Sequence, residues 1–361
     1  MENNRKNRSI GERWRRFVDK SREYVVSDDN GPLQEPWQKY LPVWDWDEAR
    51  KLKKKLLQEN VGKKLEDVFP GTIKNNSYGT YYEMEYEEKF PVTQLETKKA
   101  VRCIAQNLRL VYGIGPVTET KLRNDGFHSL YDLSKHPAYA DEAQGILTLL
   151  DVGEHKDILI YLQSRLSRSH PSVLHLSGCA DQKDFVFLDI ETLGLSSRPL
   201  ILIGIAKISN DKIKVHQYFV RSIPEEKPVI EAFLDELNAN TILFSYNGDS
   251  FDIPYIQERI YYYSMHRQIT NPDYDILLFS RKKWKGNLSN CKLQTIEKEV
   301  LGLHREDDVP GALVPEFYEE YLRAGNIGPI LPIIQHNRQD IITLAKIYFH
   351  LLNEWIPIES F

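Results

Sequence analysis

The sequence predicts an α/β fold: a mixed five-stranded sheet flanked by helices, preceded by a small helical domain and by an N-terminal extension that contains a β-hairpin. Three strand-like runs, FVFLDIE, PLILIGIAKI and KIKVHQYFV, follow one another with short turns from about residue 184. This pattern is typical of an antiparallel meander. After them helical and strand-like segments alternate, which places helices on the faces of the sheet.

The N-terminal extension covers residues 1–98. Its first twenty residues are rich in Arg and Lys and form a basic arm that lacks the apolar stretch of a secretory signal. Further along, DEARKLKKKLLQEN has helical spacing. The segment GTIKNNSYGTYYEMEYEEKFP consists of two alternating runs around Asn75-Asn76-Ser77, and this pattern predicts the hairpin.

The helical domain covers residues 99–170 and the sheet domain residues 171–361. In the helical domain a Gly113-Ile114-Gly115-Pro116 turn separates two short helical runs, and Pro116 suits the first turn of the second helix. This segment resembles a helix-hairpin-helix. The backbone N–H groups of such a turn suit a phosphate, so Gly113 and Gly115 are candidates for contact with nucleic acid; the alternative is a module that serves only packing.

Composition and charge limit the function classes. The three cysteines, Cys103, Cys179 and Cys291, are far apart, which argues against a zinc ribbon, an iron–sulfur site or a disulfide framework. No apolar run approaches the roughly 20 residues that span a bilayer, so we expect a cytoplasmic protein with no membrane partner. Because the net charge is −5, contact with nucleic acid has to come from local basic patches or from metal ions held by acidic residues.

Two carboxylates close the first strand of the sheet. Asp189 and Glu191 are two positions apart, so both side chains point to the same side of the strand. Two like charges at this spacing repel, unless a cation lies between them. The pair therefore indicates a cation site at the end of this strand.

Further acidic residues follow later in the chain. Asp252 lies where the fourth strand gives way to a helix, and His336 and Asp340 are four apart in the last helix, on one face. Asp249 competes with Asp252 as the relevant carboxylate, and a helix N-cap is the structural alternative for Asp252.

We expect the four carboxylates to converge at one edge of the sheet. Such a hard oxygen site suits two Mg²⁺ or Mn²⁺ ions, the usual machinery for displacement at phosphorus. His336 is the candidate general base, since an ordinary His pKa suits proton transfer near neutrality.

Three motifs in order carry a resemblance to a known family. DIETLGL resembles the first motif of the DEDD exonucleases of the ribonuclease-H-like superfamily, NGDSFD the second and HNRQD the third. The whole of residues 184–353 is similar to the YprB-like exonuclease family, which covers about half of the chain. The resemblance implies a ribonuclease-H-like fold, two divalent ions and 3′→5′ removal of nucleotides from DNA.

The family also implies roles for the site residues. By the resemblance, Asp189 would bridge both ions, Glu191 and Asp340 would hold the ion beside the nucleophile, and Asp252 would hold the other ion. His336 would be the general base. In the His-type members the His stands five residues before the last Asp, whereas here it stands four before.

Substrate contacts are expected at two further places. By the resemblance, Thr192 and Leu193 would touch the terminal nucleotide and Asn247 would position the nucleic-acid strand. A basic run with an aromatic ring is typical of a groove that tracks a single strand, although a solvated loop is the alternative. This run consists of Arg281, Lys282, Lys283, Trp284 and Lys285.

The acidic residues therefore predict a divalent-metal-dependent nuclease. The resemblance implies that it is a 3′–5′ exonuclease, that DNA is favoured over RNA as its substrate, and that it acts in DNA repair with a helicase as a partner. One alternative is a ribonuclease or a structure-specific endonuclease built on the same site. The other is a catalytically silent scaffold that binds nucleic acid.

Overall fold

The computed structural model describes residues 43–92, 96–305 and 309–355. The strands are Gly71–Asn76 (β1), Gly79–Lys89 (β2), Phe185–Thr192 (β3), Leu200–Ser209 (β4), Lys212–Phe219 (β5), Ile242–Ser245 (β6) and Asp273–Asp275 (β7). The α-helices in the described ranges are Val43–Glu59 (α1), Leu65–Val68 (α2), Thr97–Ala105 (α3), Pro116–Asn124 (α4), Leu130–Leu133 (α5), Ala140–Val152 (α6), His155–Arg165 (α7), Pro171–Ser177 (α8), Glu226–Asp235 (α9), Asp252–Tyr262 (α10), Ile276–Trp284 (α11), Leu293–Glu299 (α12), Val314–Ala324 (α13) and Leu331–Trp355 (α14).

The sheet is mixed, as predicted, and has seven strands in the order β1-β2-β5-β4-β3-β6-β7. Strands β3, β4 and β5 pair in antiparallel fashion, whereas β6 and β7 continue the sheet in parallel from β3. The five predicted strands are therefore all present and adjacent. The helices on both faces confirm the α/β class.

The expected number of five strands is wrong because the N-terminal hairpin joins the same sheet. The predicted hairpin forms, with Asn76 opposite Gly79 at its turn, and β2 then pairs with β5 from Tyr82↔Phe219 to Lys89↔Lys212. Tyr82 and Met84 of β2 are fully buried. The alternating sequence of this strand indicates that the side chains on one face are buried. It does not identify the strand that pairs with β2.

Strand β3 divides the core into two layers. Phe185 and Phe187 point to the face covered by α14, where they share a cluster with Ile341. Val186 and Leu188 point to the opposite face, where α9 and α10 pack. This is the alternation that a strand covered on both faces requires.

The helical domain packs against the face of the sheet that α14 covers. Ile104 of α3 and Leu162 of α7 belong to the same buried cluster as the residues of α14 and β3. Across the described ranges, no helix combines the length and the apolar character that crossing a membrane would require.

Candidate active site

Asp189 and Glu191 lie near the end of β3, on the face toward α14. Asp189 is partly exposed and Glu191 is buried, with 8% of its surface exposed. Asp189 pairs across the strands with Gly204 of β4. The predicted arrangement of both carboxylates on one side of the strand agrees with this geometry.

Asn337 of α14 fixes the orientation of Asp189. Its side-chain Nδ2 donates to the Asp189 carbonyl at 3.1 Å and to the Asp189 carboxylate at 2.8 Å. Its Oδ1 accepts from Gln217 Nε2 at 2.9 Å, and the residue is fully buried. A Cβ on Gly204 would lie 2.1 Å from Asn337 Oδ1, so glycine is required here for the close approach of the helix.

The role of Asn337 was missed in the sequence. The signal was present, because Asn337 lies between His336 and Asp340 and a fully buried amide needs hydrogen-bond partners. What the sequence did not show was that its partner would be a carboxylate on β3.

Asp252 approaches β3 from the start of α10. It is 5% exposed and its Oδ1 accepts a hydrogen bond from the Ile190 backbone at 3.2 Å. Asp249, by contrast, points away and forms an ion pair with Arg168 at 2.5 Å, with 43% of its side chain exposed. The structure therefore brings Asp252 to the site and not Asp249. The N-cap of α10 is Phe251, so Asp252 is not the N-cap residue.

His336 and Asp340 lie on one face of α14. His336 Nε2 is 3.3 Å from Asp340 Oδ2, as the four-residue spacing predicts. The other oxygen of Asp340 contacts the guanidinium of Arg305. A positively charged side chain therefore already lies against one of the four carboxylates.

Arg305 is held in this place by Glu297 of α12. Glu297 is 1% exposed, and its Oε2 accepts from Arg305 Nε at 2.5 Å. Its Oε1 accepts from Gln339 Nε2, also at 2.5 Å. Moving Arg305 away would leave Glu297 as a buried charge without its cation, which is strongly unfavourable.

The pKa directions show that the four carboxylates act on one another. Burial raises the pKa of Asp189 well above its ordinary value, and the negative charges of the other three carboxylates raise it further. Burial also raises the pKa of Asp252 to about 7. Burial would raise the pKa of Asp340 too, but His336 and Arg305 hold it below its ordinary range. Asp189 and Asp252 therefore bind protons more readily than ordinary carboxylates do, whereas Asp340 stays ionised.

The donor set fits a hard divalent ion. Carboxylate oxygens are the preferred ligands of Mg²⁺ and Mn²⁺, and a cluster whose carboxylates raise one another's pKa is stabilised by added positive charge. Asp189, Glu191, Asp252 and Asp340 are the residues that would hold such ions.

A different group of possible ligands is more compact. Within the described part of the chain, the ligand atoms that lie within 4.8 Å of one another belong to Glu83, Glu85 and His216 on β2 and β5. Lys74 and Lys214 already form ion pairs with these two glutamates, at 2.5 and 2.9 Å. We therefore interpret this group as a neutralised network in the sheet rather than as the metal site.

The residues expected to touch the terminal nucleotide lie at the end of β3. Thr192 Oγ1 donates to the Gly194 carbonyl at 2.7 Å. Leu193 is 7% exposed and packs in the core. Asn247 has a positive φ of 70°, and its backbone N–H donates to Asp275 at 2.8 Å, which fixes the turn after β6.

The basic run 281–285 differs from its expected form. Residues Ile276–Trp284 form α11 instead of a loop, and this helix turns Trp284 into the core, where 7% of its surface is exposed and its ring lies against His350. The predicted stacking role of Trp284 is therefore corrected. Lys283 pairs with Glu354 at 2.8 Å. The exposed members of the run are Arg281, Lys282 and Lys285.

The Gly113–Pro116 turn of the helical domain lies at the surface. Gly113 has a φ of 80°, which favours glycine, and Gly115 is the N-cap of α4. Burial lowers the pKa of His170, and the positive charges of Lys282 and Arg109 lower it further. Lys282 of α11 therefore lies near His170, the last residue of the helical domain.

Comparisons with known proteins agree with this architecture. Residues 186–352 match the family profile of the RNase_H superfamily. "Uncharacterized protein YprB" of Bacillus subtilis (strain 168) is 30% identical over 182 residues, which cover 47% of this chain and 42% of that protein. "DNA polymerase 1" of Sulfurisphaera ohwakuensis is 29% identical over 79 residues, or 22% of this chain and 9% of that protein. The chain thus spans less than half of either relative.

The matched segment begins in β3 and ends in α14, so it contains all four candidate carboxylates. Proteins of this superfamily are usually nucleases that act on nucleic acid with the help of divalent metal ions. Residues 186–352 are therefore a ribonuclease-H-like, nuclease-type domain of this chain.

Proposed function

We propose that the protein is a divalent-metal-dependent 3′–5′ exonuclease that hydrolyses phosphodiester bonds of DNA. The observation that supports this most is the collection of acidic groups from β3, α10 and α14, where burial and then the charges of the other three carboxylates raise the pKa of Asp189 well above its ordinary value. Cations that neutralise these groups and act on a phosphate would account for the collection.

The chain's own residues prepare the site in three ways. Asn337 fixes the carboxylate of Asp189, and the Ile190 backbone fixes that of Asp252. His336 lies against Asp340, and a neighbouring carboxylate stabilises a protonated imidazole. His336 can thus take the proton of the attacking water. Bound Mg²⁺ or Mn²⁺ would supply the activation of that water and the stabilisation of the leaving oxygen.

The substrate would approach along basic groups on one side of the sheet domain. Arg281 and Lys282 are exposed on α11, and Lys282 neighbours the helical domain. We propose that they, together with the Gly113–Gly115 turn, contact phosphates, which would position DNA without reading its sequence. A role in DNA repair beside a helicase is the context that we propose for this activity.

The test is digestion of a 5′-labelled DNA strand with Mn²⁺ and with EDTA. We expect the wild-type chain to shorten the strand stepwise from its 3′ end, and EDTA to stop the reaction. Asp189→Asn should abolish activity while its unfolding transition is retained. Asp249→Asn is the matched control, because Asp249 pairs with Arg168 outside the site, and it should remain active. Equal activity of Asp189→Asn and the wild type would overturn the assignment.

One observation favours a second candidate, the catalytically silent scaffold. Arg305 already contacts Asp340 and is anchored by buried Glu297, so a resident cation occupies part of the acidic cluster. Calorimetric titration with Mn²⁺ separates the two, because a scaffold would bind nucleic acid but no divalent ion. Digestion of DNA and RNA of equal sequence, and of strands without free 3′ ends, separates the exonuclease from a ribonuclease and from an endonuclease.

A further inference from the structure

A cavity of about 300 Å³ lies over the outer side of α14, beside the candidate active site. Its lining includes His336 and Arg305, and also Tyr86 of the N-terminal hairpin and Arg338. The cavity therefore connects the nuclease-type domain with a part of the chain that lies outside residues 186–352.

Arg338, which is half-buried, differs from two other arginines of this domain in its partners. Its guanidinium lies 4.5 Å from the ring centre of Tyr86 and 5.2 Å from that of Phe69, and its Nε donates to Gln217 at 3.2 Å. Among the described residues, no carboxylate forms an ion pair with it. Burial lowers its pKa, opposed only by Tyr86. By contrast, Arg259 and Arg305 are each paired with a buried glutamate.

A half-buried guanidinium without an anionic partner is an unfavourable arrangement unless something compensates it. The two aromatic rings supply part of this compensation through cation–π contacts. They also hold the guanidinium at the wall of the cavity, so that little side-chain freedom is lost when an anion binds. Glu88, the acidic side chain on the same wall, accepts a hydrogen bond from the Tyr86 hydroxyl at 2.8 Å.

The position of Arg338 on α14 defines what it can bind. It precedes Asp340 by two residues, which places the two side chains roughly 200° apart around the helix. An α-helix with side chains is about 10–12 Å across, so Arg338 and the Asp340 carboxylate cannot contact the same phosphate. A nucleic-acid strand that reaches both Arg338 and the Asp340 carboxylate has to cross the outer side of α14, where the cavity lies.

We propose that this cavity is a subsite for a backbone phosphate of the nucleic-acid strand, bound by Arg338 while another phosphodiester lies at the four carboxylates. The inference rests on the proposed nuclease function and extends it. It assigns substrate binding to the hairpin and the residues just before it, since Tyr86 of β2 and Phe69, which precedes β1, orient the guanidinium. Pairing of β2 with β5 then brings this wall beside α14.

The first experiment measures binding without catalysis. In the full chain carrying Asp189→Asn, the affinity for a 5′-fluorescein single-stranded DNA is followed by fluorescence anisotropy as the salt concentration is varied. Arg338→Gln should weaken binding about tenfold at low salt. It should also make the plot of log binding constant against log salt concentration less steep, by the loss of about one phosphate contact. Arg338→Lys keeps the charge, so the steepness of this plot should not change. Arg267→Gln is the matched control, because Arg267 pairs with Glu231 and Asp235 on α9.

The second experiment identifies the phosphate that Arg338 contacts. Single methylphosphonate linkages, which remove the charge of one phosphate at a time, are placed along the strand. One position should weaken binding to the parent chain but cause no further loss in Arg338→Gln. Unchanged binding of Arg338→Gln, or the absence of any such position, overturns the subsite alone. If the parent chain binds no DNA, the proposed DNA substrate fails and the subsite with it.

Discussion

Gly204→Ala tests whether the close approach of α14 to β4 positions Asp189. A Cβ at this position would lie 2.1 Å from Asn337 Oδ1 and 2.4 Å from Ile341 Cδ1. The Ile341 atom is the end of a flexible side chain and can rotate away. Asn337 cannot move without losing two hydrogen bonds to Asp189 and one from Gln217.

The magnitude follows from these contacts. Overpacking of a core typically destabilises by about 1–3 kcal/mol, and each lost hydrogen bond adds about 1 kcal/mol. We therefore expect Gly204→Ala to lower the free energy of unfolding by about 3 kcal/mol in urea denaturation, and nuclease activity to fall because Asp189 loses its fixed orientation.

A double mutant isolates the contact. In Gly204→Ala combined with Asn337→Ala the main clash is absent, so the double mutant should be at least about 1 kcal/mol more stable than the sum of the two single effects predicts. Additive effects, or a Gly204→Ala protein with wild-type stability and activity, would refute the reasoning.

Three further predictions concern the charges of the site. Burial raises the pKa of Asp252 from 3.8 to about 7, so the folded protein binds a proton that the unfolded chain releases between these values. In EDTA this group should lower the free energy of unfolding by up to about 4 kcal/mol as pH rises from about 4 to 7. Asp189, whose pKa is also raised, adds a decrease in the same direction, so Asp252→Asn should make the total decrease smaller, and parallel pH curves of the two proteins would contradict the reasoning. Asp252→Asn should also weaken Mn²⁺ binding in calorimetry, whereas Asp249→Asn should not. Equal losses of Mn²⁺ affinity would contradict the assignment of Asp252 rather than Asp249 as the metal ligand. Arg305→Gln removes a positive charge beside Asp340 and should tighten Mn²⁺ binding. Glu297→Gln leaves the charge of Arg305 uncompensated and should weaken Mn²⁺ binding. If both substitutions weaken Mn²⁺ binding, Arg305 and Glu297 only maintain the local structure.

The parts of the fold that the sequence predicted depend on local periodicity. The five strands of the nuclease-type domain and the shared side of Asp189 and Glu191 follow from the alternation of side chains along a strand. The facing of His336 and Asp340 follows from the period of a helix. Each of these inferences needs only a few neighbouring residues.

The parts that the sequence did not predict depend on distant contacts. Nothing in the hairpin pattern shows that β2 pairs with β5, about 130 residues later. The composition of the basic run around Trp284 does not distinguish a helix from a loop. Only the packing of α11 turns the indole ring inward. Arg305 is a single arginine after α12, and its pairing with Asp340 depends on how α12 packs against α14.

The pairing of β2 with β5 also limits how this protein can be divided. Removing the first hundred residues would uncover the backbone N–H and C=O groups of β5 from Lys212 to Phe219, an edge open to pairing with another molecule. A truncated fragment that begins after the hairpin should self-associate even though it retains every acidic side chain of the reaction centre. The N-terminal hairpin therefore prevents strand pairing between molecules by covering this edge.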